Sequence, residues 1–306
     1  PIWCAMLDII SVGPGEAVLL TDDAKQAIDR ADAVWCAARH AVLVPPEKAR
    51  PLSPLEGAIE QMRLSSDAGQ SVAVLVSGDA GLYSLLEMLK RKIGGEYLRV
   101  HPGVSALQLF AARLGVSWQD AKILSAHGRA LSESALCHAV RTHRQTFCFL
   151  DAAHNPAWVR ESLNLGGLEN VRLFVGERLS YPDERTEAYD PDATYDPLCM
   201  AYIENDAPES GLPPVGLSDE AFIRGKTPMT KRDVRALVVS ALHLKPNGVV
   251  WDIGAGTGSV SVECARQCPL GKVYAVEMKD EALDLIRRNA ERFHALNLRV
   301  VPGRAL

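Results

Sequence analysis

Val249-Val250-Trp251-Asp252-Ile253-Gly254-Ala255-Gly256-Thr257-Gly258 is the stretch that decides the fold. An apolar run breaks into three glycines spaced two apart, and a helical pattern from Ser259 to Gln267 follows. This reads as a buried strand, a tight turn and the start of a helix. Glycine is needed there because the backbone bends sharply and a ligand must approach without a Cβ in the way. A second apolar run, Val273-Tyr274-Ala275-Val276, ends in Glu277. An acid at that strand tip can accept hydrogen bonds from a ribose diol. Gly254, Gly256 and Glu277 are expected to converge outside the carboxyl ends of the strands.

The spacing is G-x-G-x-G, with Ser259 at the third position of the dinucleotide fingerprint G-x-G-x-x-G. Asp252 stands just before the turn. Asp-x-Gly-x-Gly-x-Gly resembles the first motif of S-adenosylmethionine (AdoMet) methyltransferases; a nicotinamide or flavin cofactor is the alternative. The chain ends at Leu306. That leaves room for about three strands, fewer than an open α/β sheet normally has, so this domain is expected to be C-terminally incomplete.

Outward from this stretch, the 306 residues allow two domains, and 47% hydrophobic with 23% charged residues is an ordinary globular composition. The net charge of -5 and the lack of a basic tract argue against a nucleic-acid partner. The seven cysteines are scattered without a Cys-x-x-Cys, which suits a reducing cytoplasm. Among the histidines, His138 and His143 lack a cysteine or acid at ligand spacing, so no metal is expected. No apolar run approaches a membrane span, and the N-terminus lacks the cationic segment of a signal peptide.

The first ~110 residues repeat one pattern three times: an apolar run, a loop of small residues, a helix. The runs are Met6 to Ser11, Ser71 to Val76 and Tyr97 to Val100. Their loops are Gly13-Pro14-Gly15, Ser77-Gly78-Asp79-Ala80-Gly81 and His101-Pro102-Gly103. Helices are expected from Thr21, Leu82 and Val104. Each loop alone is an ordinary turn, and Asp79 alone is as readily a helix cap as a ligand. Recurrence at one structural place points to a shared crevice in a parallel sheet. Arg39 and His40 stand at the end of another strand, Ala33 to Ala37. Further strands are read at 121–125, 146–150, 171–175 and 199–203. Residues 204 to 218, rich in proline and glycine, form the best linker.

Laid out in order, these motifs are similar to those of the tetrapyrrole (corrin and uroporphyrinogen) methylases. Gly13-Pro14-Gly15 with Leu19-Leu20-Thr21 resembles the family's opening, and Ser77 to Tyr83 and Pro102 to Ala106 resemble its second and third loops. Ala112-Arg113-Leu114-Gly115, Trp118-Gln119-Asp120 and Ser125-Ala126-His127-Gly128-Arg129 resemble the fused precorrin C5,15-methyltransferases of cobalamin biosynthesis. So do Pro228-Met229-Thr230-Lys231 and the stretch quoted first. One departure is visible: Cys36-Ala37-Ala38 stands before Arg39-His40, where the family commonly has a glycine pair.

The resemblance implies an α/β chain: a two-lobed tetrapyrrole methylase domain over residues 1–208, a linker at 209–218 and a partial Rossmann-like AdoMet methyltransferase domain over 219–306. It implies methylation of a corrin precursor of the precorrin-6Y/6B type at C5. The second domain, if complete, would methylate C15 and decarboxylate the ring C acetate. A first AdoMet is expected on Gly13, Pro14, Gly15, Ser77, Gly78, Asp79, Leu82, Ser105 and Ala106. A second is expected on Thr230, Asp252, Gly254, Gly256, Gly258 and Glu277. Arg39, Arg113 and Arg129 are candidates for substrate carboxylates, because guanidinium binds them in a bidentate way. His127 is the candidate general base, since imidazole titrates near working pH. A homo-oligomer is expected, with no nucleic acid and no membrane as partner. Two other readings stay open: an NAD(P)-linked oxidoreductase using Gly254 to Gly258, and a non-catalytic module that binds AdoMet or a tetrapyrrole.

Overall fold

The computed structural model describes residues 6–128 and 130–304. The chain divides into two compact units, one of Pro1–Trp118, Gly176–Glu187 and Leu198–Met200, the other of Gln119–Val175, Ala188–Pro197 and Ala201–Leu306.

The first unit opens with β1 (Leu7–Ser11), α1 (Asp22–Arg30), β2 (Ala33–Cys36), β3 (Ala49–Pro51), α2 (Leu55–Asp67), β4 (Val72–Val76), α3 (Leu86–Ile93), β5 (Leu98–His101) and α4 (Ala106–Leu114). The five strands form one sheet in the order β3-β2-β4-β1-β5. β1 runs parallel to both β4 and β5, with Ile10 opposite Leu75 on one side and His101 on the other. All five residues of β4 are buried. Val72, Val74 and Val76 pack with Leu7, Ile9, Met62 and Leu89 on one face. Ala73 and Leu75 pack with Ile10, Ala24, Ala27 and Ile28 on the other. A continuous apolar strand is what a parallel sheet covered by helices on both faces requires. Thr21 caps α1 through its side chain, accepting the Ala24 N–H at 3.1 Å, as its position in the sequence predicts. The helix after β4 starts at Leu86 rather than Leu82, because residues 79–85 form turns first.

Then follow β6 (Lys122–Ser125), α5 (Glu133–Thr142), β7 (Gln145–Phe149), α6 (Pro156–Leu165), β8 (Arg172–Glu177), β9 (Arg185–Ala188) and β10 (Cys199–Glu204). They build a sheet of order β6-β7-β10-β8-β9. The sequence reading passes over α5, which Ser132 caps by accepting the Ala135 N–H at 3.2 Å.

The last part of the second unit holds α7 (Arg232–Ala241), β11 (Val249–Ile253), α8 (Ser259–Gln267), β12 (Lys272–Glu277), α9 (Asp280–Arg292) and β13 (Leu298–Pro302). Its three strands are parallel, in the order β11-β12-β13. Val262, Ala265, Val273, Ala275, Ile286 and Leu298 form its core. Among the described residues no helix is long and apolar enough to cross a membrane.

Candidate functional site: two glycine-lined crevices

The ends of β4, β1 and β5 lie side by side, and the three small-residue loops leave from them. Gly13 and Gly78 bond to each other twice across the gap, N–H to carbonyl, at 3.1 and 2.7 Å. Both have positive φ, +68° and +67°, which a side chain would resist. The third loop is tied in by Asp79, whose carboxylate accepts the Gly81 N–H at 2.8 Å and the Gly103 N–H at 3.2 Å. Ser11 accepts the Ala80 N–H at 3.0 Å. A Cβ on Gly103 would come within 2.8 Å of the Ser11 backbone oxygen, so that loop can approach β1 only as glycine. Ser105 then closes a capping box with Gln108 and starts α4, with Ala106 as the first helical residue. Leu82 bonds back to the Asp79 carbonyl at 3.1 Å. The expected loops therefore converge. Asp79 is neither a simple helix cap nor free: it staples the second loop to the third.

Pro14 and Gly15 are buried, and Gly15 lies against a segment whose role sequence reasoning missed. A Cβ on Gly15 would overlap the Tyr181 hydroxyl and lie 3.6 Å from His40 Cε1. Tyr181 belongs to a turn in which Arg178 and Ser180 take positive φ, +48° and +77°, unusual for residues with side chains. The signal in the sequence was Tyr181-Pro182-Asp183-Glu184, a turn composition without periodicity.

Ser77 turns toward two side chains from the end of β2. Its hydroxyl lies 2.8 Å from His40 Nε2 and accepts from Arg39 Nη2 at 2.6 Å. Burial, with the Arg39 cation beside it, pushes the His40 pKa down from 6.5 to about 4. Arg113, a candidate for a substrate carboxylate, instead forms an ion pair with Glu184, Nε to Oε1 at 2.5 Å and Nη2 to Oε2 at 3.3 Å. Arg129 lies outside the described residues. His127 stands exposed in the turn after β6. The six described cysteines are buried. Burial raises the thiols of Cys137 and Cys264 to about 12, far from a nucleophile's range.

The second crevice lies at the ends of β11 and β12. Gly254, Gly256 and Gly258 all have positive φ, +82°, +57° and +76°. Gly254 has open space where its Cβ would be. Gly258 does not: Ile286 of α9 lies 3.1 Å away, so this glycine serves helix packing. Glu277 accepts the Gly256 N–H at 3.0 Å through Oε2, and the Met278 and Lys279 N–H groups at 2.8 and 3.1 Å through Oε1. Burial raises its pKa, but the N–H groups of Lys279, Met278 and Gly256 outweigh burial and hold it below the usual range. Oε2 keeps a lone pair for a ligand hydroxyl. Asp252 accepts the Ser261 hydroxyl at 2.5 Å, fixing α8 to β11.

Residues 216–230 are strapped over this turn by groups the sequence did not reveal. Arg235 is fully buried. It donates to Glu263 at 2.6 Å, to Asp219 at 3.2 Å and to the carbonyls of Thr230 and Leu217 at 2.5 Å each. Glu263 accepts the Gly216 and Leu217 N–H groups. Asn289 bonds Ile223 through both its N–H and carbonyl, and also the Thr257 carbonyl. Thr230 is thereby held by its carbonyl, and the Pro228 carbonyl would lie 3.4 Å from a Cβ on Gly256. A lone arginine in an amphipathic helix gives no sign of such a role.

The family model of tetrapyrrole (corrin/porphyrin) methylases matches residues 6–190, and that of the precorrin methyltransferase domain matches residues 220–306. A precorrin-6Y C(5,15)-methyltransferase [decarboxylating] from Sinorhizobium sp. is 32% identical over 98% of this chain and 74% of its own length. A cobalt-precorrin-6B C(15)-methyltransferase (decarboxylating) from Salmonella typhimurium is 47% identical over 29% of this chain, and the match spans 47% of that protein. The solved structure of a precorrin-6Y methylase of cobalamin biosynthesis from Archaeoglobus fulgidus shares the fold, with TM-score 0.52 at 20% identity over 66% of this chain and 98% of that one. The chain belongs to the tetrapyrrole methylase family, as an AdoMet-dependent methyltransferase related to the fused precorrin C5,15 enzymes.

Proposed function

We propose that the chain methylates a corrin precursor of the precorrin-6Y/6B type at C5 in its first crevice. In this reading residues 1–208 form the C5-methylating domain, 209–218 the linker and 219–306 a second AdoMet-binding domain directed to C15 methylation and decarboxylation. The observation that carries it is the mutual fastening of three glycine loops at the ends of β4, β1 and β5, through the Gly13–Gly78 bonds and the Asp79 carboxylate.

AdoMet fits both places. In the first, the positive-φ glycines expose backbone without a Cβ, and a Cβ on Gly78 would meet only Ser105 Cα, at 3.9 Å. In the second, Gly254 is open and Thr257 has a buried hydroxyl with no hydrogen-bond partner among the described residues. When bound, the cofactor supplies an electrophilic methyl group on a sulfonium. The chain's part is to hold the acceptor carbon in line and to keep water out. Gly13, Pro14, Gly15, Ser77, Gly78, Leu82, Ser105 and Ala106 shape the first cradle, and Asp79 fixes it. Thr230, Asp252, Gly254, Gly256, Gly258 and Glu277 shape the second, with Glu277 toward the ribose. Arg39 receives a substrate carboxylate, and His127 accepts the proton that the macrocycle loses. The protein works in the cytoplasm as a homo-oligomer.

The test is single-turnover incubation with methyl-labelled AdoMet and a corrin precursor, reading where the label enters the macrocycle. Label at C5, lost in Gly13→Val and kept in Gly256→Val, supports the assignment. Label at C5 that survives Gly13→Val contradicts it.

A further inference from the structure

Arg39 and Arg113 both belong to the first unit, and both offer the same fork, Nε–H with Nη2–H. On Arg113 a carboxylate fills it: Glu184 takes both N–H groups and neutralises the cation. On Arg39 two neutral acceptors fill it, His40 Nε2 at 3.2 Å from Nε and Ser77 Oγ at 2.6 Å from Nη2. Arg178 and Arg185 likewise reach carboxylates, Asp183 and Glu177. No carboxylate pairs with Arg39 among the described residues.

An arginine has five N–H donors and no acceptor. The Arg39 Nε–H therefore requires a lone pair on His40 Nε2, so the imidazole is neutral with its proton on Nδ1. The Ser77 hydroxyl accepts from Arg39 and gives its own hydrogen to the same Nε2. His40 is 1% exposed, and its Nδ1 is buried with no hydrogen-bond partner among the described residues. An unmet buried donor is destabilising. That cost accompanies an imidazole set to present a lone pair to the guanidinium.

We propose that His40 and Ser77 are positioning residues for Arg39. They occupy its side fork with neutral acceptors and so leave the end fork, Nη1 with Nη2, charged and oriented for a carboxylate of the tetrapyrrole substrate. A guanidinium held this way meets a carboxylate in two parallel bonds, and its charge has not been spent on the protein. Arg113, neutralised by Glu184, is left out of substrate recognition. The inference rests on the reading of the first crevice as a tetrapyrrole site.

The experiment measures affinity for uroporphyrin I, a stable polycarboxylate tetrapyrrole, by fluorescence, and for S-adenosylhomocysteine by calorimetry on the same samples. Arg39→Met and His40→Ala should each weaken porphyrin binding about tenfold or more, the worth of one charge-assisted pair. His40→Gln, which returns an acceptor near the Nε2 position, should stay within about threefold of wild type, a few tenths of the energy of such a pair. Arg113→Met should bind porphyrin as wild type does, and S-adenosylhomocysteine affinity should be unchanged by all four. Should His40→Ala disturb folding, seen in its circular dichroism, Ser77→Ala decides through weakened porphyrin binding in a normally melting protein. Unchanged porphyrin binding in His40→Ala or Ser77→Ala, or a Gln variant as weak as Ala, overturns the positioning role alone. Wild type that binds S-adenosylhomocysteine but no porphyrin overturns the tetrapyrrole reading, and this inference with it.

Discussion

β4 and β11 read alike in the sequence, each a five-residue strand before a glycine loop, apolar throughout in β4 and apolar but for Asp252 in β11, yet they are fastened differently. Every residue of β4 is buried, with core on both faces of the sheet. β11 alternates: Val250 and Asp252 face the helices, while Val249, Trp251 and Ile253 are 63%, 60% and 52% exposed. Trp251 covers part of that face by stacking on Tyr274, ring centroids 4.4 Å apart. The first set of glycine turns rests on apolar packing and is tied by the Asp79 carboxylate and the Ser11 hydroxyl. The second turn is tied by a larger set of charged and polar groups, Arg235, Glu263, Asn289 and Glu277. The two crevices should therefore fail for different reasons.

The largest difference should come from Arg235. Arg235→Ala leaves the Glu263 carboxylate buried and unpaired, a loss of about 3–5 kcal/mol. The melting of the 219–306 region should fall steeply while residues 6–118 keep their transition. Replacing Arg235 and Glu263 together by methionine should recover part of the loss, because no uncompensated charge remains.

In the first crevice the largest polar contribution should be pH-dependent. His40 titrates near 6.5 unfolded and near 4 folded, so the unfolded chain takes up the proton first. Lowering pH through that window should cost up to about 3 kcal/mol, restored as pH rises above 6.5. His138, also lowered chiefly by burial, adds to the same slope, so the difference between wild type and His40→Gln in urea midpoints isolates His40. An identical slope in both would remove His40 as its source.

Gly103→Ala should come next, since its Cβ meets the Ser11 backbone rather than a yielding side-chain end. Overpacking of this kind costs roughly 1–3 kcal/mol and should weaken S-adenosylhomocysteine at the first site only. The smallest effect expected is Ser105→Ala, loss of a helix cap worth about 1 kcal/mol, seen as a small shift in the urea midpoint of the first unit.

The architecture was largely legible because its signals are local. Apolar runs, glycine loops and the Thr21 cap each announce themselves within a few residues. The convergence of Gly13, Gly78 and Gly103 could be inferred from repetition alone. What the sequence hid depends on contacts between distant residues. Asp79 reaches Gly103 across 24 positions, Arg113 reaches Glu184 across 71, and Glu263 reaches Gly216 across 47. Nothing near Arg113 signals that its charge is taken, and nothing near Arg235 signals a buried cation. Nothing near His40 signals its role, yet with Arg39 it forms a bonded cluster with Ser77. α5 escaped because its periodicity is interrupted by polar residues at both ends.

One chain should carry two separately built AdoMet sites. Calorimetric titration with S-adenosylhomocysteine tests it most directly. The account predicts two sites per chain, one removed by Gly13→Val and the other by Gly256→Val, each leaving its counterpart intact. A single site unaffected by either replacement, or both sites lost together from one replacement in a folded protein, would contradict it.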